Sequence, residues 1–551
     1  MRGHGCRTRP VGLPARGRAG PFRRYVGQPG QPDRHVLSAV CPIGKNQESG
    51  IRTSAYSRTM DVGAGLQGRV EQGLWPLVES YVGSHDVAGL AVAVVRDEEV
   101  VARGFGVRDV GTGTPVTPET MFHLASVSKP FVATAIVSAA VRGEPVLDLD
   151  APITEWVPEF TLADGREREV TARRLLSHSS GLPDVADYGW HDPQLADDAL
   201  SEFARSISDW RLQSEPGSKF SYSNAGFELL GLLLSRVTGT TFENAMRQQV
   251  LAPLWMRNST FLRGDVPPDL AAAPHVGMPL AVPEGSYPYT RRHAPSSTLH
   301  SSVVELCRWM VAYFEPAEGS DGQWARLDAA VRGQLWQPVI PVGNPPWMGE
   351  IGLGWFVGDY RGHQTVSHAG SDPGFGSRFV MVPELRTGVV VLANSNNIPA
   401  SDIAAAALDV ALADVPLSAK PDGMVDLRAM PRSVVGPVAE VLAASGPEAA
   451  KAEFRRLAAV DPAEFDLDDE GFADATWGAI ELHRPSLVWP LLRLWTELRP
   501  DSSEAWTMTG WAHQMDGQHD LARTALRRAV DLNPDNDDAT ELLAAELKVG
   551  Q

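Results

Sequence analysis

The chain has 551 residues, 43% of them hydrophobic, and its 68 Asp and Glu outnumber 49 Lys and Arg to leave a formal charge of -19. At roughly 100–200 residues per domain this length allows two to four domains, and the acidic balance disfavours binding to phosphate backbones or anionic membrane surfaces. Cys6, Cys41 and Cys307 are too few for a disulfide framework and match no zinc spacing, and the longest apolar run, Pro130 to Val141, is too short to span a bilayer.

Charge is unevenly placed along the chain. Residues 1–60 hold ten Arg and Lys45 against Asp33 and Glu48, in a Gly/Pro/Arg-rich stretch without helical or alternating periodicity. Residues 1–66 therefore read as a disordered basic extension, with a natural start expected near Met60. No apolar leader with a small-residue cleavage site follows either methionine, so a cytoplasmic location is expected. From Gly68 to Val82, apolar residues recur at helical spacing. Ala88–Val95 reads as a buried strand, the polar run 96–99 as a turn, and Val100–Val107 as the second arm of a hairpin. A helix is expected to start at about Ser126, because Pro130 is tolerated only in a first turn, and to end at Gly143. Its body, PFVATAIVSAAV, is apolar all round, which places it in the centre of a core.

Loops and short helices fill 147–210, and a second helix runs from about Asn224 to Gly239. Strand signals return at 352–357, 364–367, 377–382 and 388–393, and 403–413 reads as a closing helix. Strands near both ends of a helical middle imply a mixed α/β domain over 67–413, its sheet assembled from both ends and flanked by helices. A Pro-containing linker is expected at 414–432. Over 433–551 the segments LRPDSSEAW (498–506) and LNPDNDDAT (532–540) repeat at 34 residues, the tetratricopeptide period. Trp506, Gly510, Gly517, Ala522, Leu526, Ala529 and Pro534 fall at that repeat's packing positions, whereas Thr509 and His513 depart from it. One clear unit and one degenerate unit are too few to stand alone, so this small all-α region is expected to lean on the preceding domain or on a second subunit.

Three motifs carry chemistry. Ser126-Val127-Ser128-Lys129 is S-x-x-K at a helix start, where three residues bring the lysine one turn above the serine on the same face. A buried amine loses its proton more easily and can serve as a base, while the helix N-terminus favours negative charge on the serine oxygen. The motif alone reads equally well as a capping serine and a solvated lysine. Tyr222-Ser223-Asn224, ahead of the second helix, offers a phenol and an amide; the alternative is a capping asparagine behind a packed tyrosine. His368-Ala369-Gly370-Ser371 follows a strand signal, and small residues at a strand edge let a substrate backbone approach. His178 and His191, with Asp184 and Asp187 between them, follow no recognised ligand spacing, so no metal or other cofactor is expected and His178 is read as bracing a loop. Trp355 and Phe375 read as packing and groove wall, and Cys307 as buried core.

In this order and context, the three motifs resemble the serine β-lactamase and penicillin-binding protein superfamily, most closely its class C-like branch of esterases and D-amino-acid peptidases. LLSHSSGL (175–182), PGSKFSYSNAGFELLGLLLSRVTG (216–239), GLGWFV (352–357) and SHAGSDPGFGS (367–377) look like that branch too. The resemblance covers about 67–413. It implies an antiparallel sheet flanked by helices, plus an all-helical lobe, with the groove between them. It also implies an acyl-enzyme on Ser126, proton transfer by Lys129 and Tyr222, orientation by Asn224, and an oxyanion hole from the backbone N–H groups of Ser126 and Ser371. Substrate contacts fall to Asn224, His368 and Gly370.

One departure bears on substrate. True β-lactamases generally present lysine where this chain has His368, and histidine is largely neutral at pH 7, which weakens an anchor for a substrate carboxylate. The leading expectation is a serine hydrolase of small esters, amides or peptides, ahead of a β-lactamase or D-alanyl carboxypeptidase. The rival from another class is a silent ligand- or partner-binding protein. The expected contacts are a small-molecule substrate and a protein partner or second copy at the C-terminal repeat, with neither nucleic acid nor membrane.

Overall fold

A computed structural model describes residues 65–548 apart from 144–145, 317–324, 397, 419–426 and 461–463. The basic extension over 1–64, with Cys6 and Cys41, lies outside the described residues, as does part of the expected linker. The chain enters through α1 (Leu66–Gly73) and α2 (Trp75–Ser84) and then forms β1 (Gly89–Arg96), β2 (Glu99–Asp109) and β3 (Thr114–Pro115). Six more strands follow the helical middle: β4 (Ile340–Asn344), β5 (Met348–Ile351), β6 (Phe356–Tyr360), β7 (His363–Asp372), β8 (Phe375–Val382) and β9 (Thr387–Ala393). They form one nine-stranded sheet in the order β3-β2-β1-β9-β8-β7-β6-β5-β4, antiparallel at every pairing.

The junction of the two halves is β1 against β9, in register from Leu90 opposite Ala393 to Arg96 opposite Thr387. Leu90 to Val95 are all fully buried, as a strand covered on both faces requires. Alternation then splits the strand between two cores. Leu90, Val92 and Val94 pack with α1, α2 and the closing helix, Ala400–Ala411. Ala91, Ala93 and Val95 face α3 (Ser128–Arg142), α4 (Asn224–Thr238) and α5 (Val303–Tyr313).

Helix α3 is buried on every side from Ser128 to Ala139, and Gly143 closes it in the left-handed conformation at φ 69°. Gly239 ends α4 in the same way at φ 68°. Behind α3, the Trp309 ring stacks on Phe131 at 4.1 Å and on Trp355 at 5.1 Å, beside the buried Cys307. Two boundaries differ from expectation. Helix α3 begins at Ser128, after a 3-10 turn at Ala125–Val127 whose first residue takes a left-handed φ of 48°. The strand expected at 352–357 starts only at Phe356, since Gly352 and Gly354 are taken up by close approaches to Leu335 O and the Ala133 side chain.

The C-terminal region is helical from Val435 to Lys548, with a short strand pairing at Arg432–Ser433 and Phe465–Asp466. In its helix pair Ser503–Met515 and His519–Leu532, a Cβ on Gly510 would come within 2.6 Å of the Leu526 side chain. This region leans on the sheet domain. Trp190 and Val276 belong to its hydrophobic core, and a Cβ on Gly478 would sit 2.9 Å from Val276 and 3.6 Å from Gly374 N. No helix among the described residues is long and apolar enough to cross a membrane.

Candidate active site

Ser126 sits at the centre of the 3-10 turn, partly exposed, one residue after the left-handed Ala125. A non-glycine residue held at positive φ stores about 1–2 kcal/mol of strain, and Ala125 is buried between the equally buried Leu124 and the partly exposed Ser126. One turn on, Lys129 is wholly buried and its Nζ reaches Ser126 Oγ at 2.8 Å. Tyr222, the residue before the serine that caps α4, donates its phenol proton to the same Ser126 Oγ at 2.9 Å. Asn224 opens α4, and its Oδ1 accepts from Lys129 Nζ at 2.6 Å. The cap of α4 is Ser223, whose Oγ accepts from Gly226 N, so Asn224 is left free for the lysine. Two distant stretches of chain thus meet on one hydroxyl.

The polar partners of Lys129 are neutral. Besides Ser126 and Asn224, its amine donates to the Ser296 carbonyl at 2.9 Å. Burial pushes its pKa down to about 8, against weaker opposing pulls from Glu228, Asp184 and Asp372. Tyr222 moves the other way: burial raises its phenol well above 10, more than its bond to Ser126 lowers it. At neutral pH the phenol is therefore protonated, and the amine is the group nearest to releasing its proton. Of the two, Lys129 is therefore the group better suited to act as a base.

A second tier of residues fixes these three. Asp184 Oδ1 accepts from Asn224 N at 2.6 Å and Asp184 Oδ2 from Asn224 Nδ2 at 2.9 Å, and the Tyr188 hydroxyl meets the same Nδ2. With its N–H groups so occupied, the Asn224 amide can turn only its oxygen to Lys129. His178 stacks on the Tyr222 ring at 4.1 Å while its Nδ1 accepts from Ser223 N at 3.1 Å. Burial and then the charge of Lys129 hold this imidazole well below its ordinary pKa. The loop brace expected at His178 is thus a brace on the phenol itself. Sequence reasoning did not identify Asp184, Tyr188 or Ser296 as supports, and the signal was faint: each contact spans 36 or more residues without a periodic pattern.

The third motif forms one wall. β7 pairs with β6 only as far as Ser367, so from His368 to Asp372 the strand has a ladder partner on the β8 side alone. Its other edge turns toward the nucleophile. A Cβ on Gly370 would lie 2.8 Å from Ser126 N and 2.4 Å from Leu124 O, and only glycine permits that approach. Ser371 lies next to it, partly exposed, with its Oγ accepting from Asn396 Nδ2 at 2.9 Å. Asn396 also donates to the Asp372 and Phe375 carbonyls and accepts from Gly374 N, clamping the β7–β8 turn. His368 is fully buried, and burial together with the charge of Lys129 lowers its pKa to about 3. It is a neutral imidazole. Trp355 and Phe375 are buried packing residues, Phe375 against His123 and Tyr287.

Known proteins of one family resemble this chain. The family described as Beta-lactamase matches residues 76–414, so the chain belongs to that family. It is 26% identical over 336 residues to the protein flp of Staphylococcus aureus (strain MW2), covering 59% of this chain and 64% of the relative. The match thus spans somewhat less than two thirds of that relative's length. Penicillin-binding protein 4 of Amycolatopsis lactamdurans is 28% identical over 319 residues, 57% of this chain and 81% of the relative. Esterase EstB of Burkholderia gladioli is 38% identical over 206 residues, 35% of this chain and 51% of the relative. Among solved structures, the octameric penicillin-binding protein homologue from Pyrococcus abyssi superposes with a TM-score of 0.53 at 29% identity, covering 61% of this chain and 76% of that one.

Proposed function

We propose that this chain, a member of the beta-lactamase family, is a serine hydrolase that cleaves an ester or amide bond through an acyl-enzyme on Ser126. The observation that carries the reading is the double contact on Ser126 Oγ: Lys129 Nζ at 2.8 Å and Tyr222 Oη at 2.9 Å. In its neutral form Lys129 accepts the Ser126 proton as Oγ bonds to the substrate carbonyl carbon. The resulting oxyanion is held by the N–H groups of Ser126 and Ser371, across the gap that Gly370 keeps open. As the tetrahedral intermediate collapses, the leaving oxygen or nitrogen takes the Tyr222 proton, and the Lys129 ammonium restores it. Water then attacks the acyl carbon, its proton passes back to the same pair, and the carboxylic acid leaves with Ser126 regenerated.

The substrate class follows from charge. A neutral His368 supplies no cation to anchor a carboxylate, which favours esters and amides over β-lactams or a terminal D-alanine. The relatives named as an esterase and a penicillin-binding protein bracket these choices. A silent binding protein is the weaker reading, because a scaffold would not need to keep the serine, lysine and tyrosine in mutual contact. The reading includes a cytoplasmic location, tested by cell fractionation. It also leaves the C-terminal helices, tetratricopeptide-like in period, as the place where a protein partner or second copy docks; light scattering that returns a single-chain mass removes the second of these. The substrate test compares kcat/KM for p-nitrophenyl butyrate and a chromogenic cephalosporin. Faster ester cleavage, lost in Ser126→Ala, is the expected result, and a much higher value on the cephalosporin contradicts the substrate assignment.

A further inference from the structure

Next to the oxyanion position, one carboxylate is built into the groove with no cation to meet it. His368, Gly370 and Asp372 lie two residues apart on β7 and so face the same side of the sheet. Gly370 fixes which side that is. It abuts Ser126 N, so Asp372 stands one residue beyond Ser371 on the face that carries the nucleophile. Asp372 is only 7% exposed, and its Oδ2 accepts from His123 Nε2 at 2.6 Å. Its Oδ1 takes no hydrogen bond among the described residues, yet it is not sealed from solvent. Rings around His123 fix the histidine in turn, with His300 at 5.2 Å, Phe375 at 5.5 Å and Tyr287 at 6.1 Å.

The charges around this carboxylate are mostly negative. Its field reaches Lys129 and Tyr222 in the catalytic cluster and, outside it, Tyr188 and Glu481. Glu481 ends the C-terminal helix Asp469–Glu481, where burial and then the charges of Asp187 and Asp372 push its carboxyl up to about 8. Lys129 directs its hydrogens to Ser126, Asn224 and Ser296, and Arg263 lies over the Tyr287 ring at 4.6 Å without pairing with Asp372. Position along the strand then says which part of a substrate meets Asp372. Tyr222, the donor to the leaving group, is joined to the His368 end by a chain of rings. His178 lies 4.1 Å from Tyr222 and 5.9 Å from Phe220, and Phe356 lies 6.2 Å from Phe220 and 5.0 Å from His368. Asp372 is at the other end, about 7 Å of strand beyond Gly370. The leaving group therefore lies toward His368 and the acyl group toward Asp372.

We propose, resting on the hydrolase reading of this site, that Asp372 sets specificity by binding a protonated amine on the acyl part of the substrate. The nitrogen sits two or three bonds from the scissile carbonyl carbon, so the substrate class is an amino-acyl ester or amide. One oxygen held by His123 and the other left open give a directed, charge-assisted hydrogen bond, which the low dielectric of a buried site strengthens. A neutral His368 at the leaving-group end and an acidic group at the acyl end give the groove its polarity. The sequence pattern alone did not reveal this role, since the partner that orients Asp372 lies 249 residues away.

The test uses the full chain at pH 7 and the methyl esters of D-alanine, L-alanine and β-alanine, each beside its uncharged isostere. Methyl isobutyrate serves for the first two and methyl butyrate for the third. At least one amino ester is expected to exceed its isostere in kcat/KM by about 10-fold or more. Asp372→Asn is expected to cut that ratio by about 10-fold or more, chiefly by raising KM for the amino ester, and Asp372→Glu to restore part of it. An equal loss on both members of a pair in Asp372→Asn marks a structural role and overturns the proposal. A parent without amine preference overturns it whether or not the variants fold. Calorimetry of the same pairs on Ser126→Ala separates this proposal from the hydrolase reading. Amine-selective binding by a chain that turns over no ester supports Asp372 as the amine site and overturns the hydrolase reading alone. Turnover without amine preference overturns the amine site alone, and neither turnover nor selective binding overturns both.

Discussion

Two cations in this molecule are treated in opposite ways. Arg291 is half-buried against the buried Glu243, and its Nε and one terminal nitrogen bond both Glu243 oxygens at 2.7 and 2.9 Å, with Asp197 beside them. Those paired carboxylates raise its pKa above the ordinary arginine value. Lys129 is buried completely, yet its amine bonds a hydroxyl, an amide oxygen and a backbone carbonyl. Its pKa falls to about 8. A buried cation given anionic partners is locked in its charged form, whereas one given neutral acceptors is prepared to release its proton. The first arrangement suits a structural tie, and the second suits the base proposed for Lys129.

The comparison breaks first at the nucleophile. Ser126→Ala is expected to lower kcat/KM on any true substrate by about 10⁴-fold or more, with the fold intact by circular dichroism. Next, Lys129→Met and Arg291→Met should give opposite profiles. Lys129→Met is expected to cost about 10³-fold or more in kcat and little stability, because it removes a charge whose burial is itself unfavourable. Arg291→Met leaves Glu243 buried and unpaired, so chemical denaturation should show a loss of about 3–5 kcal/mol. A destabilised Lys129→Met with normal turnover would invert the argument.

Gly370→Ala comes third. The added methyl meets Ser126 N and Leu124 O below contact distance, which pushes β7 off the oxyanion position, and kcat is expected to fall about 10²–10³-fold. The smallest effect is the dependence of stability on pH. Lys129 binds its proton less tightly in the folded chain than in the unfolded one, so between about pH 8 and 10.5 the unfolded state holds more protons. Stability contributed through this group therefore rises with pH across that window. The burden of up to about 3 kcal/mol carried at pH 7 is relieved there. Comparing parent and Lys129→Met by denaturation at pH 7 and pH 10 isolates it: the variant's relative advantage should shrink at the higher pH. His368, lowered from an ordinary 6.5 to about 3, makes stability rise with pH between those two values and adds no step above pH 7.

Much of this was legible in the sequence where local chemistry dictates the outcome. Gly143 and Gly239 end their helices because a left-handed position favours glycine, and the all-apolar α3 had to be central. The trio Ser126, Lys129 and Tyr222 was legible as ordered motifs. Its supports were not: Asp184 reaches Asn224 across 40 residues, and Asn396 reaches back across the turn after β7, with no periodicity to announce either. The same holds for Ala125, a left-handed alanine just before Ser126 that no propensity announces. Local rules locate elements and motifs, while the tuning of a buried amine depends on which distant atoms surround it.

The central claim, that a depressed Lys129 activates Ser126, is tested most directly by the pH dependence of covalent labelling. A fluorophosphonate followed by peptide mass spectrometry should place one adduct on Ser126, at a rate that rises about tenfold per pH unit and levels off through an apparent pKa of about 8. An adduct on another residue, or a Ser126 labelling rate flat from pH 6 to 10, would contradict the account.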